Sequence, residues 1–178
     1  MKFTPVAGYT RDGRAILIRH ARPEDGAALL ALKLSYIDGS ATIPIYVDEY
    51  RNNVQDEAEL ISRYLAEPNS LLLVAEHEGL LVGNLDITGN RRRMLYHTAM
   101  AGMGVHNLWQ NNNVGHLLLQ NSLAWAKEYS PLTIVWLEVY ATNAAGIKLY
   151  EKNGFKACGA ITDFFGRGID KITMVYQW

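Results

Sequence analysis

Met103-Gly104-Val105-His106-Asn107-Leu108-Trp109-Gln110-Asn111-Asn112-Asn113-Val114-Gly115-His116 leads from a β-prone segment, through a polar loop, into the first turn of a helix. A junction of this kind attracts anions, because the first helical turn leaves backbone N–H groups unpaired at the positive end of the dipole. Gly115 lets the backbone approach a phosphate closely, and Asn113 tolerates left-handed backbone angles. The same residues also read as an ordinary Asn-rich turn that merely caps the helix. Other phosphate motifs drop out. Gly102-Met103-Gly104 begins like a dinucleotide fingerprint, but Asn107 stands where the third glycine belongs, and no Walker-type loop occurs.

Downstream, Leu137-Glu138-Val139-Tyr140 ends a β-rich run over 132–140, and Asn143 is a suitable N-cap for a helix over 143–152 stopped by Asn153-Gly154. Ile147 and Tyr150 fall on one side of that helix. Val114, Leu117, Leu118 and Trp125 give residues 114–128 one buried helical face. Upstream, Ala15–Arg19 reads as a first strand, after an N-terminal extension over 1–13. Arg22-Pro23-Glu24-Asp25 starts a helix that carries Ala27, Leu29, Leu30 and Leu32 inward. A second helix covers 55–66 with Leu60, Ile61, Tyr64 and Leu65 on its apolar side, and 36–50 reads as loop or irregular helix. Leu71–Ala75 and Leu80–Thr88 flank a hairpin turn at His77-Glu78-Gly79, Met94–Val105 is a further strand, and strands over 155–162 and 170–177 close the chain. The order is strand, two helices, three strands, helix, strand, helix, two strands. That is an α/β or α+β domain with a mixed sheet.

Size and composition agree with one domain over residues 1–178. Apolar residues make up 49% and charged residues 20% of the chain, which is enough for a core without staples. The net charge of -1 supplies no basic surface for general nucleic-acid binding. Cys158 is the sole cysteine, so internal disulfides and Cys-rich zinc sites are excluded. His77-Glu78 begins like a zinc-binding helix motif but lacks its second histidine, and no metal is expected. Neither a signal peptide nor a membrane-spanning run is legible, which points to the cytoplasm.

Taken together, 110–115 resembles the Q/R-x-x-G-x-G/A pyrophosphate loop of the GNAT superfamily of acyl-CoA N-acyltransferases. Residues 143–155 resemble that family's N-x-x-A-x-x-L-Y-x-x-x-G-F segment. The resemblance implies a central mixed, mostly antiparallel sheet flanked by helices, with acetyl-CoA as co-substrate. It also implies transfer of the acetyl group to a primary amine of a small molecule, an amino acid or a protein N-terminus. Leu137-Glu138-Val139 with Asn143 and Tyr150 is similar to ribosomal-protein alanine N-acetyltransferases. The setting of Gly102–His106 also looks like enzymes acting on amino acids or small amines.

The site residues follow from the resemblance. Met103, Gly104 and Val105 would hold the pantetheine arm through backbone groups. Gln110, Asn111, Asn112, Asn113, Val114, Gly115 and His116 would surround the pyrophosphate, and Asn143 would contact the CoA chain besides capping its helix. Asn113 replaces the loop's first glycine, while Asn111 and Asn112 replace residues that are often basic, so modest CoA affinity is expected.

Amide formation needs a neutral amine, an oxyanion stabiliser and a proton for the departing thiolate. The resemblance implies Tyr150 as the proton donor, with a core tyrosine as the plainer reading. Glu138 is the expected base, with a surface carboxylate, or deprotonation through ordered water, as alternatives. Strand alternation puts Glu138 on one face with Trp136 and Tyr140. Arg91-Arg92-Arg93 reads as a solvated turn, His97 and His106 as ordinary strand or loop histidines, and Asp48, Glu49, Asp56, Glu57 and Glu59 as a solvated acidic face. A CoA-binding sensor or scaffold with little catalysis is the competing function, and a homodimer is left open.

Overall fold

The computed structural model describes residues 3–178. Strands β1 (Val6–Tyr9) and β2 (Ala15–His20) precede helices α1 (Gly26–Ile37) and α2 (Val54–Ala66). Then come β3 (Leu71–His77), β4 (Leu80–Gly89), β5 (Thr98–Val105), α3 (Val114–Tyr129), β6 (Ile134–Tyr140), α4 (Ala144–Lys152), β7 (Lys156–Ile161) and β8 (Lys171–Gln177). All eight strands form one sheet in the order β1-β2-β3-β4-β5-β6-β8-β7. Every neighbouring pair is antiparallel except β5 and β6. The expected mixed, mostly antiparallel sheet flanked by helices is what forms.

The segment read as an extension contributes β1, which pairs antiparallel with β2 from Val6↔Ile18 to Tyr9↔Ala15. Four mostly exposed residues carry no alternation, so only the pairing reveals this strand. Met94 and Leu95, read as strand, lie in a one-turn 3₁₀ helix over Arg93–Leu95. The β3–β4 turn falls where expected but is shorter: His77 belongs to β3 and pairs with Leu80, and Glu78 (φ 48°) and Gly79 (φ 84°) adopt the left-handed angles of a two-residue hairpin loop.

Alternation along β3 splits the core into two layers. Leu71, Leu73 and Ala75 join Leu118, Leu119, Val135 and Leu137 beneath α3. Leu72 and Val74 meet Leu29, Leu32 and Ile61 of α1 and α2 on the opposite face. Within those helices several expectations change. Ala27 and Leu65 are exposed, and Tyr36 and Ile37 fill the α1 face instead. Glu57, assigned above to a solvated face, is 0% exposed. It is buried because Lys33 donates to it at 2.8 Å, and Tyr50 and Asn52 complete its hydrogen bonds.

The β5–β6 pair organises the rest. It is in register only at Thr98↔Ile134, Ala99↔Val135 and Met100↔Trp136, although β5 continues to Val105 and β6 to Tyr140. Beyond Met100 and Trp136 the two strands part, and β5 from Ala101 to Val105 is paired with β4 alone. The centre of the sheet therefore opens into a wedge lined by backbone hydrogen-bonding groups.

On the α1 side of the wedge, Tyr36 lies directly over Gly104, so that any Cβ there would overlap its ring. Tyr36 is buried and donates to Asn84 Oδ1 at 3.1 Å, which leaves it little room to move. Gly104→Ala is expected to lower stability by roughly 1–3 kcal/mol, the cost of overpacking. A melting curve read by circular dichroism checks this.

Candidate active site

The loop after β5 is built to present backbone N–H groups. Gln110 folds back, its Nε2 donating to Val105 O and to Asn107 Oδ1, each at 3.1 Å. Its amide thereby braces the end of β5. Asn111 (φ 56°) and Asn113 (φ 73°) both adopt left-handed angles, which asparagine accepts at low cost. Asn113 is the N-cap of α3, and the first helical bond runs from Leu117 N to Asn113 O at 3.0 Å. The N–H groups of Val114, Gly115 and His116 precede that bond and converge at the loop. His116 Nδ1 is also buried there without a hydrogen-bond partner. Free donors beside the open edge of β5 fit a diphosphate with an extended amide-bearing arm, which is the chemistry of CoA.

Met103 and Val105 turn towards the α3 core layer, and Gly102 and Gly104 towards α1. Met103 packs against Gly115, which keeps strand and helix close: a Cβ on Gly115 would lie 3.4 Å from Met103 Sδ. Across the wedge, Asn143 caps α4 as expected, its Oδ1 accepting from Gly146 N at 2.9 Å. That leaves the Asn143 amide nitrogen free to donate.

Tyr150 is half-buried on α4, its ring packed against the larger core layer and 5.8 Å from that of Phe155. Burial pushes its phenol pKa up to about 12. Among the described residues its hydroxyl has no hydrogen-bond partner.

Glu138 of β6 and Asp86 of β4 stand on the face of the sheet that carries α1 and α2. Glu138 shares that face with Trp136 and Tyr140, as alternation requires, but its charge is not alone. Lys171, 7% exposed, donates to Glu138 Oε1 at 2.7 Å and lies 3.9 Å over the Phe164 ring. Phe165 stacks on Tyr140 at 3.9 Å, so the β7–β8 loop walls this end of the face.

Asp86 was not singled out in the sequence. It pairs in register with Gly102, and a Cβ there would lie 3.0 Å from Asp86 Oδ1. Its Oδ2 accepts from Tyr64 at 3.3 Å and from Thr88 at 3.2 Å, and among the described residues Oδ1 has no hydrogen-bond partner. Desolvation by burial raises its pKa, against hydrogen bonding from Thr88 and the more distant charge of Lys33. The only sequence signal was polar Asn84, Asp86 and Thr88 alternating along β4 where a fully apolar strand would otherwise be expected.

His97 and His106 both lie in loops. His106 Nδ1 accepts from Leu108 N at 3.2 Å, and His97 lends its carbonyl to Thr133 N at 2.9 Å. Arg91 forms an exposed pair with Glu67 at 3.0 Å. Among the described residues there is no cluster of three or more His, Cys, Asp or Glu placed to hold a metal ion, and no helix long and apolar enough to cross a membrane.

A sheet parted at its centre, with a helix N-terminus at one end of the gap, is the setting of an acyl-CoA-dependent transferase. Known proteins agree. The model of the acetyltransferase (GNAT) family matches residues 40–155. The L-amino acid N-acetyltransferase AaaT of Escherichia coli (strain K12) is 27% identical over 144 residues, 81% of this chain and 85% of that protein. The N-alpha-acetyltransferase RimI of Mycobacterium tuberculosis (strain ATCC 25618 / H37Rv) is 30% identical over 114 residues, 64% of this chain and 70% of that protein. A GNAT-family acetyltransferase structure from Streptococcus pneumoniae superposes with a TM-score of 0.88 at 25% identity, covering 92% of this chain and 99% of that one. The chain belongs to the acetyltransferase (GNAT) family, and it is an acetyl-CoA-dependent N-acetyltransferase.

Proposed function

We propose that residues 1–178 work as one cytoplasmic acetyltransferase domain whose acceptor is the primary amine of a free amino acid, a small amine or a peptide N-terminus. The amine enters on the α1 and α2 face, and Asp86 takes its proton. The observation that carries this reading is the desolvated Asp86 carboxylate, with one oxygen aimed at Gly102 beside the open edge of β5. An ammonium is drawn to that face by Asp86. The raised pKa makes Asp86 a better proton acceptor than an ordinary aspartate.

Acetyl-CoA supplies the activated acetyl group, held by the β5 edge and the N–H groups of Val114, Gly115 and His116. Met103, Gly104, Val105 and Asn143 flank the arm, with Gln110, Asn111, Asn112 and Asn113 shaping the loop. Tyr150 protonates the departing thiolate. The free phenol supports catalysis over a sensor or scaffold role.

Glu138, the base expected from the sequence, is tied to Lys171, and in this reading it holds that ammonium in place. Glu138→Gln is therefore expected to lower kcat less than ten-fold while lowering the melting temperature, because a nearly buried Lys171 loses its counter-charge. Thiol release from acetyl-CoA, assayed over amino acids, small amines and N-terminal peptides, tests the acceptor. No turnover with any of the three classes would sink the assignment. A larger loss in Glu138→Gln than in Asp86→Asn would return the base to Glu138.

A further inference from the structure

The cofactor loop, residues 110–116, contains neither lysine nor arginine. A cation reaches it from elsewhere. The β1–β2 turn docks on this loop through the three asparagines that stand where the family's glycine and basic residues are expected. Asn112 Oδ1 accepts from Arg11 N at 2.9 Å and from Asp12 N at 3.3 Å. Asn113 Nδ2 donates to Tyr9 O at 3.0 Å, and Arg11 Nη1 donates to Asn111 O at 3.2 Å.

The turn is well braced for this. Thr10, 5% exposed, bonds Asp12 at 2.5 Å and receives Arg14 N at 2.8 Å. Gly8 packs against Leu117 of α3, where a Cβ would meet Leu117 Cδ2 at 2.9 Å. The turn's two cations differ in what occupies them. Arg14 pairs with Asp12 at 2.8 Å and lies 3.6 Å over the Trp109 ring. Arg11 is exposed and spends one donor on the Asn111 carbonyl. A guanidinium carries five N–H donors in a fork that suits phosphate.

We propose that Arg11 is a cofactor-binding residue, supplying through the β1–β2 hairpin the phosphate-directed cation that the loop itself lacks. The asparagines then do two things: Asn111 and Asn113 take the left-handed angles of the loop, and all three hold the hairpin that delivers Arg11. This rests on acetyl-CoA binding at the α3 N-terminus. The ligand carries two kinds of phosphate, the pyrophosphate and the ribose 3′-phosphate, and the same guanidinium chemistry serves either.

Calorimetric titration of the apo protein with CoA and with 3′-dephospho-CoA tests the idea without recourse to turnover. Arg11→Ala is expected to raise the Kd for CoA about five- to ten-fold at low ionic strength, the scale of one charge-assisted contact at an exposed site. The difference from wild type should shrink as salt is added. An equal loss for both ligands places Arg11 on the pyrophosphate, and a loss confined to CoA places it on the 3′-phosphate. Asn112→Ala, which releases the hairpin, should weaken binding in the same direction with the Arg11 side chain intact. Unchanged Kd values for Arg11→Ala beside normal wild-type binding would overturn the inference alone. Absence of CoA binding by the wild-type protein would overturn the cofactor site on which it rests.

Discussion

Tyr150→Phe should lower kcat for acetyl transfer by about 10²-fold or more while leaving CoA affinity and the melting temperature unchanged. The stability half of this expectation follows from the geometry, and the rate half from the proposed acid role of Tyr150. The ring packs against the larger core layer and phenylalanine keeps that contact, so the fold loses nothing there. The hydroxyl makes no bond to the described residues, so its removal orphans no partner. What disappears, in the proposed mechanism, is the proton that Tyr150 gives to the departing thiolate. With a pKa of about 12, the phenol stays protonated through any assayable pH and should add no basic limb to the rate profile. Thiol release, calorimetric titration and a melting curve on the one variant separate these effects. Undiminished turnover would remove Tyr150 from the mechanism.

How far the sequence reached depended on whether a residue's job is local. Asn113 as a left-handed loop residue, Asn143 as a side-chain cap and the turn at His77-Glu78-Gly79 are settled by neighbours a few positions away; the first two are found as read, and the turn is found one residue shorter. The face of Glu138 followed from strand period alone. Partners distant in sequence were invisible. Glu138 is paired with Lys171 and Glu57 with Lys33, 33 and 24 positions apart, so a carboxylate expected to act as base and one expected in water are both neutralised in the fold. β1 was missed for the same reason, since its four residues gain strand character only by pairing with β2. Asp86 escaped notice because a single acid on an apolar strand announces nothing until Gly102 of the next strand comes to lie beside it.

Asp86→Asn should lower kcat/KM about 10²-fold and abolish the acid limb of its pH profile. Burial raises the Asp86 pKa, so the wild-type limb should lie above the ordinary aspartate value of 3.8. Activity is lost as pH falls through the limb, because the protonated carboxyl cannot accept the amine proton. The same shift has the opposite consequence for stability. A carboxyl whose pKa is higher folded than unfolded favours the folded state while protonated, and that contribution is lost as pH rises through the folded pKa. At neutral pH the wild type therefore carries a desolvated charge that asparagine lacks. Asparagine keeps an acceptor for Tyr64 and Thr88, so Asp86→Asn should melt at the same temperature or higher. A structural carboxylate would lose stability and rate together, whereas a base placed in the wedge for catalysis loses rate alone. A variant that melts lower in proportion to its lost rate would assign Asp86 to the fold and take the proton transfer away from it.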